Sequence, residues 1–228
     1  MTSLPMRDPK QDRLIAPGNS ALVIIDYQPL QMYTVQSMER GRMINNMIAL
    51  TRLAKVFDMP IVLSTVNVSN GVNPDTVTQL RSEIPDVRSY DRTQINAWED
   101  REFQAAVRAT GRQKLIMCAL WTEACLLFPT LDALSEGFEV YPVVDAVGGT
   151  TIQAHKTALR HMTEAGARPT TWNSVACQLQ RDWARQDTVK GFMQTVIEQN
   201  QDWGWYEELR GSGNQIDRNR VPVGAGSR

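Results

Sequence analysis

The chain alternates short apolar runs with longer segments of helical periodicity, and this alternation limits its possible folds more than any other feature. The apolar runs are rich in β-branched residues, which favour strands. Apolar strands that alternate with helices are typical of a parallel sheet with both faces covered. The sequence therefore predicts an α/β fold, a doubly wound six-stranded parallel sheet in the order 3-2-1-4-5-6 with helices on both faces.

The apolar runs and the helical segments give the predicted elements and one domain. Predicted strands cover residues 21–26, 60–67, 87–90, 113–120, 139–144 and 168–171. Predicted helices cover residues 38–57, 99–109, 123–135, 151–165 and 188–198. No linker divides residues 18–200, so we expect one domain there, after an N-terminal arm at 1–17. The tail at 201–228 is expected to be loose or packed on a neighbouring subunit.

Composition excludes several classes of partner. The 24 lysines and arginines nearly balance the 25 aspartates and glutamates, so no basic surface for nucleic acid is expected. No apolar run approaches the roughly 18 residues that span a bilayer. Three cysteines without disulfide or zinc spacing, after a charged and proline-punctuated start, favour a cytoplasmic protein. The expected partners are a small-molecule substrate and further copies of the chain.

Two polar residues are predicted to meet at the centre of this sheet. Asp26 ends the first predicted strand, and Cys125 follows the fourth at the start of a helix. The predicted order makes these strands neighbours where the winding reverses, and ligands bind beyond the carboxyl ends of strands at that point. The sequence therefore predicts a site that contains both Asp26 and Cys125.

A cysteine and an aspartate together indicate nucleophilic catalysis. A free thiol with a pKa of about 8.5 is mostly protonated at neutral pH, so it needs activation. The helix that follows Thr122 would lower the thiol pKa by its N-terminal dipole, and Asp26 would act as general base. Backbone N–H groups near Glu123, Ala124 and Cys125 would stabilise an oxyanion.

A carboxylate beside a thiolate raises the thiol pKa, so the predicted site needs a cation. Arg92 lies in residues 90–98, just beyond the third predicted strand and near the same sheet edge. Its role would be electrostatic, because arginine does not lose its proton in proteins. Lys114 is the competing cation, but it begins the fourth strand and is expected at the opposite end of the sheet.

Several segments, in this order along the chain, resemble the isochorismatase-like cysteine hydrolases and within them the YcaC-like subgroup. They read VIIDYQ at 23–28, QINAW at 94–98, WTEAC at 121–125, DA at 145–146 and WNSVACQLQRDW at 172–183. The resemblance covers roughly residues 15 to 200. It implies the doubly wound fold for an isochorismatase-like hydrolase domain at 18–200.

The resemblance also implies roles for particular residues. A catalytic aspartate, lysine and cysteine map to Asp26, to the position of Arg92 and to Cys125, although most of the family has lysine where this chain has arginine. A non-proline cis peptide is implied between Trp121 and Thr122. The resemblance further implies a ring-built homo-oligomer, an octamer.

No cofactor and no catalytic metal are expected. Metal-binding relatives place histidines and an aspartate near the pocket, whereas this chain has only His155 and His161. Both lie in the helix after the fifth predicted strand, and we interpret them as packing or hydrogen-bonding residues.

Further residues have less certain roles in the sequence. Cys118 and Cys177 are interpreted as buried hydrophobic residues. Glu123 is either a favourable charge at a helix N-terminus or a catalytic acid. Side chains that would line a pocket or fill an interface are Gln28, Asn96, Trp98, Glu123 and Trp172.

The leading hypothesis is hydrolysis of a small amide or related acyl compound through a thioester on Cys125. One alternative is an oligomeric scaffold or pseudo-enzyme whose site has drifted to arginine at the cation position. A further alternative is hydrolysis of a vinyl ether, as isochorismatases perform, but the relatives that do so do not need the cysteine.

Overall fold

The computed structural model describes residues 7–8, 11–200 and 203–205, and it contains a parallel sheet in these ranges. Five strands lie in the order β3-β2-β1-β4-β5, so the predicted α/β class and the winding order of the first five strands are confirmed. Their bounds are β1 Ser20–Ile25, β2 Ile61–Val66, β3 Ser89–Arg92, β4 Lys114–Ala119 and β5 Glu139–Pro142. All four strand pairs are parallel.

The predicted sixth strand, at residues 168–171, is absent from the described sheet. That segment lies beside β5 and forms one isolated bridge, between Val143 and Thr170. It is short because Gly166 follows the end of one helix and Thr171 already caps the next. The N–H groups of Arg168 and Thr170, on either side of Pro169, donate to Val140 O and Pro142 O at 2.8 and 2.9 Å. The prediction of six strands was therefore wrong by one.

Helices cover both faces of the sheet, as the predicted class requires. Their bounds are α1 Pro29–Thr34, α2 Arg40–Val56, α3 Thr78–Arg81, α4 Arg101–Ala109, α5 Leu127–Ser135, α6 Ile152–Glu164, α7 Trp172–Gln180 and α8 Gln186–Gln199. The helices predicted at 38–57, 99–109, 151–165 and 188–198 are confirmed within a few residues. The segment predicted as one helix at 123–135 instead begins with a π-helical turn, Thr122–Leu126, before α5. None of the described helices is long and apolar enough to cross a bilayer.

The two central strands form the core that supports the site. Every residue of β1 and β4 is buried, and Met43, Met47 and Leu53 of α2 are fully buried as well. Burying an aliphatic side chain of this size contributes roughly 1.5 to 3 kcal/mol. The carboxyl ends of β1 and β4 are therefore held rigidly side by side.

The predicted tail at 201–228 lies almost wholly outside the described residues. Of its aromatic cluster at Trp203, Trp205 and Tyr206, only the two tryptophans are described, and the ring of Trp203 contacts Trp183 and Phe192. The proposed packing of the tail on a neighbouring subunit remains a prediction.

Gly148 allows the loop after β5 to approach the end of β4 closely. It forms an isolated bridge with Leu120, and its carbonyl accepts a hydrogen bond from Thr122 N at 3.0 Å. A Cβ at Gly148 would lie 2.5 Å from Val35 Cγ1 and 3.0 Å from Met43 Sδ. This loop therefore has no room for a side chain.

We predict that Gly148→Ala lowers the free energy of unfolding by about 1 to 3 kcal/mol, because the added methyl overpacks the core beside Val35. Urea unfolding monitored by circular dichroism measures the change. The matched control is Gly41→Ala in α2, where the added Cβ meets the flexible carboxylate of Glu39. Equal stability of the two variants would contradict the close approach.

Candidate active site

Asp26 follows the last residue of β1 and has an unusual backbone conformation. Its φ of 61° lies in the left-handed region, which few residues other than glycine adopt. Its backbone N–H still donates to Ser64 O of β2, at 3.0 Å, so the residue is held at the sheet edge. Its carboxylate is fully buried.

Arg92 reaches across the end of β2 and binds Asp26 with both ends of its guanidinium group. Nη1 lies 2.7 Å from Oδ1 and Nη2 lies 2.8 Å from Oδ2, and neither side chain is exposed. Nη1 also donates to Ser64 Oγ and Thr65 O, and Nη2 donates to Ile95 O. Arg92 is the last residue of β3. The sequence had instead placed it in the loop that follows this strand.

Arg92 keeps its positive charge in this buried position. Burial alone would lower the pKa of the guanidinium, but the hydrogen bonds and negative charge of Asp26 outweigh it and raise the pKa. Such bidentate pairs give both strength and fixed orientation. The carboxylate of Asp26 is therefore held in one orientation.

Cys125 lies in the π-helical turn Thr122–Leu126, called the cysteine turn below, where it is buried and close enough to Asp26 for the carboxylate to act on its pKa. Burial raises the pKa of the thiol, and the charge and hydrogen bond of Asp26 raise it further. The charge of Arg92 and a hydrogen bond from the backbone of Trp121 act in the opposite direction but do not prevail. The expectation that the helix start would lower the thiol pKa was wrong, because desolvation and the carboxylate dominate.

The cis peptide is between Leu120 and Trp121, one residue earlier than the predicted Trp121–Thr122 bond. Leu120 still donates to Ile25 O, so strand pairing continues through its N–H and the chain turns directly after it. The N–H groups of Thr122 and Ala124 donate to Gly148 O and Trp121 O. The predicted oxyanion donor Ala124 is therefore occupied within the fold.

The indole of Trp121 connects the cysteine turn to α1. Its Nε1 donates to Gln31 O at 3.1 Å and to Thr34 Oγ1 at 2.9 Å. Gln31 and Thr34 lie in α1, which the sequence had not predicted as a helix, because no motif marks a helix of six residues. The site is therefore bounded by α1 on this side.

Gln28 stabilises the backbone instead of lining an open pocket. The side chain is fully buried, and its Oε1 accepts from Val66 N at 2.9 Å. Its Nε2 donates to Val66 O and Pro74 O. The prediction of Gln28 as a pocket residue was wrong, because its amide is used to join the end of β2 to the loop that follows.

Asn96 and Trp98 bind the loop after β3 to α5. Asn96 Oδ1 accepts from Trp98 N, and its Nδ2 donates to Asp132 at 2.7 Å. The Nε1 of Trp98 donates to Glu136 at 2.9 Å, and its ring is almost fully buried. These contacts assign both residues to packing rather than to a pocket wall.

Trp172 begins α7, and it is also buried. Its backbone N–H donates to Asp145 Oδ1 at 2.9 Å. Burial raises the pKa of Asp145, and this hydrogen bond partly offsets the effect. The structure therefore gives Trp172 a role in joining α7 to the loop after β5.

Glu123 lines an open groove of about 400 Å³ between the cysteine turn and α6, which His161 also lines. Its Oε1 accepts from Thr150 N and Thr150 Oγ1, at 2.9 and 2.6 Å. Its Oε2 is buried without a hydrogen-bond partner. Glu123, which was predicted to line a pocket, thus lines this groove.

The other two cysteines differ from each other. Cys118 is fully buried in β4, as predicted, whereas Cys177 is exposed on α7, so the prediction that it is buried was wrong. Its side chain falls on the outer face of a helix whose apolar positions are taken by other residues. Within the described ranges, no group of three histidine, cysteine or acidic side chains could hold a metal ion.

Known proteins resemble this chain in sequence and in fold. The isochorismatase domain family matches residues 20–174. The probable hydrolase YcaC of Escherichia coli is 38% identical over 167 residues, which are 73% of this chain and 80% of that protein. The solved structure of E. coli YcaC, described as an octameric hydrolase of unknown specificity, has a TM-score of 0.81 at 33% identity and covers 90% of this chain and 98% of its own.

A second solved structure is that of YcaC from Pseudomonas aeruginosa with hexane-2,5-diol and covalent acrylamide. It has a TM-score of 0.82 at 32% identity and covers 87% of this chain and 98% of its own. The family match extends over more than half of the chain and contains Asp26, Arg92 and Cys125. The chain therefore belongs to the isochorismatase-like hydrolase family, and its similarities lie with the YcaC-like subgroup.

Proposed function

We propose that this chain is a cysteine-dependent hydrolase that cleaves the carbon–nitrogen bond of a small amide through a thioester. The observation that carries the proposal is the buried cluster in which Arg92 binds both oxygens of Asp26 and the charge of Asp26 acts on the thiol of Cys125. The family supports hydrolysis in general, and the cluster supports a route through the thiol. Such a cluster combines a nucleophile, a base and a fixed charge, as nucleophilic catalysis requires.

Acylation begins when a substrate carbonyl carbon lies against the sulfur of Cys125. As the C–S bond forms, the thiol proton moves to Asp26 and the carbonyl electron pair moves to oxygen. The backbone N–H of Trp121, which lowers the pKa of the thiol, is the donor that we propose for that oxyanion. When the oxyanion collapses, the C–N bond breaks and Asp26 gives its proton to the leaving nitrogen. The products are ammonia or an amine and a thioester on Cys125.

Deacylation repeats these roles with water as the nucleophile. Asp26 accepts a proton from water as the new C–O bond forms on the thioester carbon. The C–S bond then breaks, the sulfur recovers the proton from Asp26, and a carboxylic acid leaves. The enzyme returns to its starting protonation state, so the cycle balances without a cofactor.

Arg92 would act through Asp26 rather than as an acid or base. Its charge lowers the thiol pKa, and its two hydrogen bonds hold the carboxylate toward the sulfur. Lysine, the usual family residue, is a compact charge that lacks this planar fork. Arginine therefore preserves the charge and adds orientation, which argues against a drifted, inactive site.

The covalent acrylamide in the P. aeruginosa relative supports a reactive nucleophile in that protein. Acrylamide is both a small amide and an electrophile that adds to thiols. By extension we propose Cys125 as the group that acrylamide modifies in this chain. Cys177 is exposed and also available to reagents, so a Cys177→Ser background is needed to isolate the signal.

We predict that the alkylation rate of Cys125 in a Cys177→Ser background keeps rising into the alkaline range, because its thiol pKa is raised. In Asp26→Asn the inflection moves down by about one pH unit or more, since the negative charge is lost and Arg92 remains. Iodoacetamide labelling and peptide mass spectrometry measure the rates, with buried Cys118 as the unreactive internal control. An inflection unchanged by Asp26→Asn would contradict the coupling of the two groups.

We predict ammonia release from one or more members of a panel of small amides. Cys125→Ser is expected to lower turnover at least 100-fold, because the hydroxyl is a far weaker nucleophile in this setting. Cys177→Ser is the matched control and is expected to retain wild-type activity. Activity that survives Cys125→Ser on every substrate would rule out the thioester route.

The E. coli relative is an octamer, and we propose the same assembly here. Light scattering on the purified chain is expected to give a mass near eight copies of the 25.7 kDa protomer. A monomer at micromolar concentration would overturn this proposal, and it would leave the chemistry of Cys125 unaffected.

A further inference from the structure

The cysteine turn is bound to α6 and to the loop before it by three sets of hydrogen bonds. Thr122 N donates to Gly148 O at 3.0 Å, and Glu123 Oε1 accepts two bonds from Thr150. The third bond joins Thr122 Oγ1 to His155 Nδ1 at 2.9 Å. The first two hold the loop, whereas the third connects the turn directly to a helix.

Thr122 is fully buried, and its hydroxyl therefore depends on His155 for a partner. A buried hydroxyl without a hydrogen bond is costly, so the turn settles where this bond can form. Thr122 is also the first residue of the π-helical turn, three positions before Cys125. Because both residues belong to one short turn, a displacement of Thr122 would also displace the sulfur of Cys125.

His155 is itself held firmly against the loop. Its backbone N–H donates to Thr151 O at 3.1 Å in the first turn of α6. A Cβ at Gly149 would lie only 3.1 Å from both His155 Cβ and His155 N, so the loop packs directly on this residue. The ring therefore extends from a fixed base toward Thr122.

We propose that His155 is a positioning residue for Cys125, which acts through the hydrogen bond between its Nδ1 and the Thr122 hydroxyl and thereby sets the orientation of the cysteine turn. This inference rests on the proposed function only in that Cys125 is the reacting group. It gives a specific role to a histidine that the proposed chemistry itself does not use.

The charge state of His155 suits this role. Burial lowers the pKa of the ring, while the charge of Glu123 raises it and that of Lys156 lowers it, and the net direction is down. The ring is thus neutral at neutral pH, and one ring nitrogen accepts while the other carries hydrogen. In the tautomer that our proposal assigns to His155, Nδ1 accepts the hydrogen bond and the Thr122 hydroxyl donates it.

Two pairs of substitutions, one pair at His155 and one at Thr122, separate this hydrogen bond from simple packing. In His155→Asn the side-chain oxygen falls near the position of Nδ1 and can still accept from Thr122, whereas His155→Ala removes the acceptor. Thr122→Val removes the hydroxyl at nearly constant shape, and Thr122→Ser keeps it. The matched control is His161→Ala, which changes an exposed histidine on the same helix.

The first readout is the rate of Cys125 modification by acrylamide in the Cys177→Ser background, followed by mass spectrometry. We expect His155→Ala and Thr122→Val each to slow it on the order of 10- to 100-fold, the range typical of small misplacements of a reacting group. His155→Asn, Thr122→Ser and His161→Ala are expected to stay within about threefold of the parent. The double variant His155→Ala/Thr122→Val is expected to match the single variants, since both remove one bond.

Hydrogen exchange of the amides at 121–126 gives a second readout that needs no reaction at Cys125. We expect these amides to exchange faster in His155→Ala than in His155→Asn. The exchange rates of the amides in the sheet are expected to be the same in both variants. If wild-type Cys125 proves unreactive, the proposed function fails while exchange still decides the role of His155. Additive effects in the double variant, or equal exchange in the alanine and asparagine variants, would overturn the inference.

Discussion

The buried pair of Asp26 and Arg92 is the interaction on which the site depends. Removing one partner of such a pair typically costs about 3 to 5 kcal/mol, because the other charge is left buried and uncompensated. Arg92 spans the end of β2 and binds Ser64 and Thr65 there, so the pair also joins the ends of three strands. The carboxylate that faces Cys125 is thus fixed by the sheet itself.

Burial and the fixed carboxylate together raise the pKa of the Cys125 thiol. A cysteine beside a lone cation would ionise easily and react with many electrophiles. Here the charge of Asp26 opposes that of Arg92, so burial decides the direction and the pKa of Cys125 rises. Under the proposed mechanism the proton moves only when a carbonyl carbon is in place. This arrangement would make the nucleophile selective for substrates that fit the site.

Much of this arrangement was predictable from the sequence, because parallel strands place their carboxyl ends at one edge. Asp26, Arg92 and Cys125 each follow or end an apolar run, and winding rules bring those runs together. Details that depend on tertiary hydrogen bonds were not predictable. The position of the cis peptide, the amide bonds of Gln28 and the contact of His155 with Thr122 have no local sequence pattern. The direction in which the thiol pKa shifts was not predictable either, because it depends on both the burial of Cys125 and the charge of Asp26.

We propose that Cys125 rests as a thiol that is hydrogen-bonded to the carboxylate of Asp26. In catalysis this carboxylate accepts the thiol proton. Raman difference spectra at pH 7 between the wild type and Cys125→Ser test it directly, since Cys118 and Cys177 cancel in the difference. The account predicts an S–H stretching band from Cys125 that shifts in Asp26→Asn, because the hydrogen-bond acceptor has changed. Absence of an S–H band from Cys125 would show a thiolate at rest and contradict the account.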